Sequence, residues 1–407
     1  MPLFICCSID EHMVEIRDPV HGYVKIDGLC LSLLDTPQFQ RLRWIRQLGL
    51  ASLVYPGASH SRFEHSLGSY HLAVILSDRL GLSDDDAMRI RAAALLHDIG
   101  HGPLSHVTEP MLSKYLRRRH ESILDLLRSE DIRTRLEHYG ITPEEIQKLI
   151  KGRTELGKIV SGEIDVDRMD YLIRDAHYTG VAYGVFDHLR LIERMHLSSG
   201  RLMIDSGGVH AAESLLLSRL LMQPTVYQHH VCRISECMVA GALRYMIDDL
   251  GFDPSSILRM DDFELFGAMG SAGGYASEIA ERIKTRRLFK RALYVGAESL
   301  EFIPKPGSER MLAEEISSDS GVDQRYVLVD SPPAPEVPEG SFPVMINTEV
   351  MQLREVSPVA RILEDAHRAT WRLGVYTLPE HRERVARAAE RCLGVRKPPR
   401  QHTLDSL

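Results

Sequence analysis

The sequence predicts a mainly α protein, with a helical core followed by a smaller C-terminal α/β appendage. Apolar residues recur at helical spacing, with capping signals between them, from Val14 to about Leu250. After Gly251 the pattern changes to short β-like runs separated by Gly, Pro and Ser. The 407 residues are 44% hydrophobic and 26% charged, as in globular proteins. We expect a leader over 1–13, the helical core over 14–250, the appendage over 251–395 and a flexible tail over 396–407.

Helix-start signals punctuate the core. Asp35-Thr36-Pro37 is a good helix start, with Pro at the first helical position and apolar residues at helical spacing after it. Ser83 precedes three aspartates, which suit the positive end of a helix. Thr142-Pro143-Glu144-Glu145 has the pattern of a capping box. A short strand over 201–204 precedes a long helix predicted from about 211 to 250.

The appendage carries alternating strand and helix signals. Strands are predicted at 292–295, 300–303, 326–329 and 373–378, and the Pro-rich stretch 331–340 is predicted to be a loop. Helices are predicted at 358–370 and 381–393.

Composition narrows the functional class. The formal charge of −8 argues against broad nucleic-acid binding, although local Arg clusters can still hold a small anion. The six cysteines form no CxxC pair, which is typical of reduced thiols in a cytoplasmic protein. No apolar run approaches the roughly 18 residues that a membrane span needs, and the N-terminal stretch is a poor signal peptide.

Four dispersed residues carry most of the chemical information: His65, the adjacent pair His97-Asp98, and Asp167. This mixture of imidazole and carboxylate suits a divalent cation with open coordination positions better than a closed structural site. Mn, Fe, Mg, Zn, Co and Ni all tolerate such donors, so the sequence does not determine the metal. Metal-assisted phosphate ester hydrolysis is the leading hypothesis.

A buried histidine satisfied by a neighbouring aspartate would also explain His97-Asp98 alone. The surrounding segment favours a site, because His101 and His106 follow within ten positions and an apolar helix has no packing use for so many imidazoles.

The sequence resembles the HD-domain metal-dependent phosphohydrolases, and within them the deoxynucleoside triphosphate triphosphohydrolase branch. Five motifs in family order, over roughly the first 230 residues, carry the resemblance: 18–22, 35–43, 55–68, 96–106 and 164–171. The resemblance implies a helical HD core with metal ligands at His65, His97, Asp98 and Asp167. We expect the sterile-alpha-motif domain of some members to be absent.

The resemblance also implies roles for further residues. The catalytic set is Arg62, His101, His106, Glu109 and His120. The substrate-binding set is Gln47, Leu48, Arg62, Arg168, Tyr171, Asp175, Arg219 and Tyr227. Arg168 stands where similar members of this branch carry Lys, which keeps the charge but changes the geometry. His106 or His120 could instead support other residues, and any single Arg or Tyr could have a surface or packing role.

A regulatory nucleotide site is a further implication of the resemblance. Asp35, Gln40 and Arg43 match positions that bind a guanine activator in a relative, although Asp35 could simply cap a helix and Arg43 could be an ion-pair partner. We expect a homodimer or tetramer.

The predicted reaction is hydrolysis of a deoxynucleoside triphosphate to deoxynucleoside and triphosphate, by water attack at the α-phosphate. One alternative is an HD-type phosphohydrolase that acts on another nucleotide: a monophosphate, GTP, or a cyclic or alarmone-type nucleotide. The other is a nucleotide-sensing or nucleic-acid-binding scaffold, for which so many histidines would be unnecessary.

Overall fold

A computed structural model describes residues 13–117, 122–305, 307–332 and 340–396. It confirms a mainly helical protein with small sheets. The first ten helices are α1 Gly28–Leu34, α2 Pro37–Gln40, α3 Arg62–Leu80, α4 Asp84–Leu96, α5 Ser105–Leu116, α6 Leu124–Leu127, α7 Glu130–His138, α8 Pro143–Ile150, α9 Val166–Thr179 and α10 His188–Glu193. The others are α11 Val209–Met222, α12 His230–Asp248, α13 Pro254–Ile257, α14 Asp262–Ser271, α15 Gly274–Lys284, α16 Glu309–Ser320, α17 Leu353–Val356, α18 Pro358–Ala369 and α19 Arg382–Cys392.

Nine strands form three small sheets within the described residues. The strands are β1 Val14–Asp18, β2 Gly22–Ile26, β3 Met195–Ser198, β4 Arg201–Asp205, β5 Lys290–Gly296, β6 Val327–Asp330, β7 Pro343–Ile346, β8 Glu349–Gln352 and β9 Arg372–Thr377. β1 and β2 form a hairpin, and the other sheets have the orders β3-β4-β7-β8 and β5-β9-β6. All neighbouring strands are antiparallel except β4 and β7.

The centre of the core is the packing of α3 against α4 and α9. The end of α4 is buried on every side, because the three alanines at 92–94 let neighbouring helices approach closely. The predicted caps at Ser83 and Thr142 are confirmed, since each hydroxyl accepts a hydrogen bond from the backbone N–H three residues on. These contacts hold the C-terminal end of α4 in the middle of the molecule.

The helix start predicted at Asp35-Thr36-Pro37 is confirmed, because α2 begins at Pro37 with Thr36 as its N-cap residue. A capping role of Asp35 in this helix is wrong, since Asp35 is the exposed C-cap of α1, and the predicted length of the helix is wrong as well. α2 lasts one turn, continues as a 3-10 turn over Arg41–Trp44, and the chain then becomes extended at Ile45. Four apolar residues at helical spacing are nevertheless buried: Phe39, Leu42, Ile45 and Leu48. Their spacing therefore indicated that the whole segment is buried, and not that it forms one long helix.

The single helix expected over 211–250 is also wrong. It consists of α11 and α12, separated by a π-helical turn over Gln223–Tyr227. Pro224 lies in this turn and has no N–H to donate to the helical ladder, which accounts for the break. The wide turn places Tyr227 at the edge of the central cavity.

In the C-terminal region the strands predicted at 292–295, 326–329 and 373–378 and the helices predicted at 358–370 and 381–393 are confirmed, and the strand predicted at 300–303 is wrong. There Leu300 makes only an isolated bridge with Val395 and the chain then bends, so no strand forms. The predicted leader 1–13, loop 331–340 and tail 396–407 lie mostly outside the described residues. Phe342, Val344 and Leu353 join the same apolar cluster as α3, α4 and α9. The domain boundary at Gly251 stays a prediction. Across the described ranges, no helix has both the length and the apolar content to traverse a bilayer.

Candidate active site

Three packed helices bring the four predicted metal ligands together. His65 lies in the first turns of α3, which a capping box between Ser61 and Glu64 starts at Arg62. His97 is the C-cap of α4, and Asp98 follows it in the turn. Asp167 lies in the first turn of α9.

The four side chains converge on one small volume. The Nε2 atoms of His65 and His97 are 3.2 Å apart. Asp167 Oδ1 lies 3.0 Å from His65 Nε2 and 3.7 Å from His97 Nε2. Asp98 Oδ1 lies 3.4 Å from His97 Nε2, and its Oδ2 lies 4.0 Å from His65 Nε2. Donor atoms of His65, His97 and Asp98 all lie within 4.8 Å of one another, a spacing that a single ion can bridge.

The other ring nitrogen of each histidine is already used. His65 Nδ1 donates to Asp170 Oδ2 at 2.8 Å, and His97 Nδ1 donates to the Ala94 carbonyl at 2.7 Å. When both rings are neutral, the two Nε2 lone pairs therefore face and repel each other, and a cation bound between them would remove this repulsion. Such backing bonds are typical of metal-binding histidines. The residues present therefore fit a divalent metal ion.

Charges in this cluster favour added positive charge. Burial disfavours a charged His65, but the carboxylates of Asp167 and Asp170 outweigh burial and raise its pKa to about 10. Burial acts against the Asp98 carboxylate too, yet Arg62 and the neighbouring histidines hold its pKa well below the usual range. The cluster thus keeps its carboxylates ionised and attracts protons or a metal ion.

Behind His65 lies a fully buried ionic network that the sequence analysis did not predict. Arg174 donates from Nε and Nη2 to Asp170, each at 2.9 Å, and from Nη1 to Asp18 at 2.7 Å. His21 Nε2 donates to Asp170 Oδ1 at 2.6 Å. Asp170 is therefore fixed on three sides while it orients the ring of His65.

Three predicted catalytic residues among those that the structure describes lie beside the cluster or in the cavity that opens from it. His101 Nε2 is 3.1 Å from Asp98 Oδ1. Arg62 donates to Asp98 Oδ2 at 2.7 Å and to Ser105 Oγ at 3.0 Å, so it fixes a predicted metal ligand as well as facing the cavity. The His106 side chain is exposed into the cavity, but the surrounding walls remove part of its hydration, and together with the charges of Arg62 and Arg233 this lowers the pKa of His106 to about 4. His106 is thus a neutral imidazole near pH 7.

A cavity of about 650 Å³ opens from the metal cluster. Its lining includes most of the predicted catalytic and substrate-binding residues: Gln47, Leu48, Arg62, His101, His106, Glu109, Arg168, Tyr171, Asp175 and Tyr227. Tyr227 donates its hydroxyl proton to Asp175 Oδ2 at 2.8 Å, and His60 Nε2 lies 2.8 Å from Asp175 Oδ1. Arg168 is tethered to the carbonyl of Gly162 and to Asp165.

Two predicted residues, one substrate-binding and one catalytic, are not among the lining residues that the structure describes. Arg219 is not part of the lining, but its charge acts on Tyr171 and Tyr227. His120 lies outside the described residues.

The suggested regulatory residues also lie elsewhere. Gln40 Oε1 accepts a hydrogen bond from Arg43 Nε at 2.8 Å, and the Arg43 guanidinium stacks 3.5 Å from the ring of Phe63. Asp35 is exposed. The regulatory nucleotide site that these three residues would form stays a prediction.

Two supporting carboxylates escaped the sequence analysis for different reasons. Asp170 and Arg174 follow Asp167 at helical spacing on α9, a signal that could have found them. Asp262 gave no signal: its carboxylate accepts from Arg46 N at 2.9 Å and from Leu104 N at 2.8 Å. It thereby ties the start of α14 to two segments that border the cavity.

Comparison with known proteins agrees with this geometry. The sequence profile of the HD domain matches residues 62–175, and that of the HD associated region matches residues 186–404. YwfO of Bacillus subtilis is 32% identical over 395 residues, which cover 86% of this chain and 88% of YwfO. Deoxynucleoside triphosphate triphosphohydrolase SAMHD1 of Homo sapiens is 33% identical over 350 residues, 70% of this chain and 55% of the human protein. The chain thus spans about half of the human relative.

Two crystal structures are similar over nearly the whole chain. A hypothetical protein from Aquifex aeolicus has a TM-score of 0.77 at 30% identity, covering 93% of this chain and 100% of that one. A phosphohydrolase from Bacteroides thetaiotaomicron has a TM-score of 0.73 at 26% identity, covering 90% and 100%. The chain therefore belongs to the HD-domain family of metal-dependent phosphohydrolases, with an HD domain followed by an HD associated region.

Proposed function

We propose that this chain hydrolyses deoxynucleoside triphosphates to deoxynucleoside and triphosphate, by water attack at the α-phosphate. The observation that carries the proposal is the pair of facing Nε2 atoms, 3.2 Å apart and flanked by two carboxylates, at one end of a cavity of about 650 Å³. The human relative, by its name, is a deoxynucleoside triphosphate triphosphohydrolase, which supports the same substrate class here.

His65, His97, Asp98 and Asp167 would hold the metal. When bound, a divalent ion supplies Lewis acidity toward the phosphate and lowers the pKa of water. The donor set is compatible with Mn, Fe, Mg, Zn, Co or Ni. Two carboxylates balance the charge of such an ion, and Asp170 keeps the His65 ring turned toward it.

Proton transfer falls to the cavity histidines. His106 is neutral near pH 7 and is the residue that we assign to accept a proton from the attacking water. His101, anchored to Asp98, and His120 are the other proposed acid–base residues, with Glu109 in the same wall. The guanidinium groups of Arg62 and Arg168 face the phosphates.

The sugar end of the cavity favours deoxyribose in this proposal. Asp175 fixes the hydroxyl of Tyr227, so the Tyr227 ring forms a rigid wall. Gln47 and Leu48 lie in the same lining and are buried. A site that hydrogen-bonds the 3′-hydroxyl while it packs against the 2′ carbon disfavours a 2′-hydroxyl.

The test is a metal-supplemented screen of nucleotides in which both products are identified. Release of intact tripolyphosphate together with the deoxynucleoside supports the proposal. Orthophosphate from a monophosphate, or turnover of a ribonucleotide, cyclic or alarmone-type nucleotide alone, would establish the alternative phosphohydrolase. Nucleotide binding without any turnover would indicate a sensing scaffold.

A further inference from the structure

The wall of the cavity formed by α12 contains charged residues that have no role in the metal cluster. Arg233 and Glu236 lie one turn apart on α12 and both line the cavity, as does Pro332 just after β6. The sequence resemblance assigned no function to any of them.

The C-terminal sheet holds this pair in place. Arg233 donates from Nη2 to Asp330 Oδ1 at 2.6 Å and from Nε to Asp330 Oδ2 at 3.1 Å. Its Nη1 donates to Glu236 Oε2 at 2.6 Å. Tyr376 donates its hydroxyl proton to the same Asp330 at 3.2 Å. The guanidinium plane is thus fixed, with the Glu236 carboxylate beside it.

Hydrogen-bonding capacity remains on both groups. Arginine has five N–H groups, and these bonds to described residues use three of them, which leaves two for a ligand. A carboxylate offers about four lone-pair positions, and Arg233 occupies one on Glu236. The side chains of Arg233 and Glu236 are 25% and 13% exposed, so each still reaches the cavity.

Charge distinguishes the two ends of the cavity. Near Tyr171 and Tyr227, the cations Arg168 and Arg219 are balanced by two carboxylates outside the metal set, Asp165 and Asp175, and the predicted metal ion would add positive charge at this end. At α12, the single cation Arg233 faces the carboxylates of Asp330 and Glu236. Burial raises the pKa of Glu236 to about 7, so near neutral pH this end carries between zero and one excess negative charge, and Glu236 is fully ionised only above that pH. A triphosphate favours the first end, and an uncharged base is better accommodated at the second.

We propose that Arg233 and Glu236 form a base-recognition subsite selective for guanine. This inference rests on the proposed function, because it takes a nucleoside triphosphate as the ligand. The guanine edge presents the O6 acceptor beside two adjacent donors, N1–H and the N2 amino group. Arg233 donates to O6 while the carboxylate of Glu236 accepts from N1–H and N2–H.

The other bases match this pair less well. Adenine and cytosine each place a ring nitrogen acceptor beside their single amino donor, and that acceptor would face the carboxylate. Thymine has one ring N–H between two carbonyl oxygens, one of which would meet Glu236. Each mismatch leaves a polar group of the pocket unpaired, and a good bidentate contact discriminates by roughly five- to 150-fold.

The experiment compares kcat/KM for dGTP, dATP, dCTP and dTTP in the full chain with metal. We expect dGTP to exceed each of the others by about tenfold or more. In Glu236→Gln the amide replaces one acceptor with a donor, and the advantage should fall below about threefold. Glu278→Gln is the matched control, because Glu278 pairs with Arg282 at 2.7 Å outside the cavity lining; its base ranking should equal that of the wild type.

Equal rates for the four nucleotides, or a dGTP preference that survives Glu236→Gln, would overturn the subsite. Tripolyphosphate released from all four at equal rates would leave the proposed function standing. If no nucleotide is hydrolysed, calorimetric titration with deoxyguanosine and with deoxyadenosine decides the matter. Tighter binding of deoxyguanosine that Glu236→Gln abolishes supports the subsite, and equal binding refutes it.

Discussion

Gly68→Ala should destabilise this protein although it replaces glycine with alanine inside a helix. Gly68 lies within α3, one turn after His65. At an open helical position this change stabilises by up to about 1 kcal/mol. At Gly68 a Cβ would overlap Asp170 Oδ1 and Arg174 Nη2 and would lie 2.5 Å from Asp170 Cγ. Both neighbours are fully buried and held by several bonds, so neither can move aside without breaking the network.

The size of the effect follows from the network. Breaking a buried ion pair costs about 3–5 kcal/mol. Subtracting the helix gain of about 1 kcal/mol leaves a net loss of about 2–4 kcal/mol in the free energy of unfolding. Displacement of Asp170 also releases His65 Nδ1, and loss of such a backing bond weakens metal binding by about 10- to 100-fold.

Urea unfolding of the metal-free chain and metal titration measure the two effects. Gly267→Ala in α14 is the matched control, because its Cβ meets nothing within 4 Å. The control should gain up to about 1 kcal/mol and bind metal normally. A Gly68→Ala variant as stable as the wild type, with unchanged metal affinity, would refute the role given to the Asp170 network.

Four other predictions concern the site and the assembly. Asp167→Ala should lose most bound metal and all hydrolysis while its far-ultraviolet circular dichroism stays helical; retention of both metal and turnover would disprove the ligand set. Burial alone would raise the pKa of the Asp170 carboxyl, but the charge of Arg174 outweighs burial and holds this pKa well below 3.8. The ionised carboxylate therefore stabilises the fold above about pH 4, and this stabilisation is lost as the pH falls further. The stability gap between wild type and Asp170→Asn should therefore shrink toward pH 3, and a constant gap would contradict this. Deoxynucleotides should react faster than ribonucleotides in parallel assays, whereas equal rates for dGTP and GTP would favour the general phosphohydrolase. Light scattering should show a homodimer or tetramer, and a response to GTP that Arg43→Ala removes would support the predicted guanine site.

The convergence of the four predicted ligands could be anticipated from the sequence, because their residue types are uncommon in their surroundings. His97-Asp98 ends a run of alanine and leucine, and His65 and Asp167 lie near helix starts, where side chains point out of the helix end. The sequence also contained Asp170 and Arg174 in regular spacing. Their partner Asp18, however, is 156 positions away from Arg174, and such a pairing depends on the packed fold.

Local patterns failed where burial or a proline overrode them. The segment after Asp35 has helical spacing, yet the extended backbone at Ile45 ends the helical conformation. Pro224 divided the helix predicted over 211–250, and the turn it produced carries Tyr227 to the cavity. Arg233 and Glu236 were not singled out in the sequence, because the contact of Arg233 with Asp330, 97 positions away, depends on the packed fold.

Turnover of a deoxynucleoside triphosphate in ¹⁸O-labelled water tests the central claim most directly. In the predicted reaction water attacks the α-phosphorus, and the bond between this phosphorus and the 5′-oxygen of the deoxynucleoside breaks. Mass spectrometry of both products should therefore find one ¹⁸O in the tripolyphosphate and none in the deoxynucleoside. Label in a deoxynucleoside monophosphate released with pyrophosphate, or in orthophosphate released with a diphosphate, would contradict the proposed reaction.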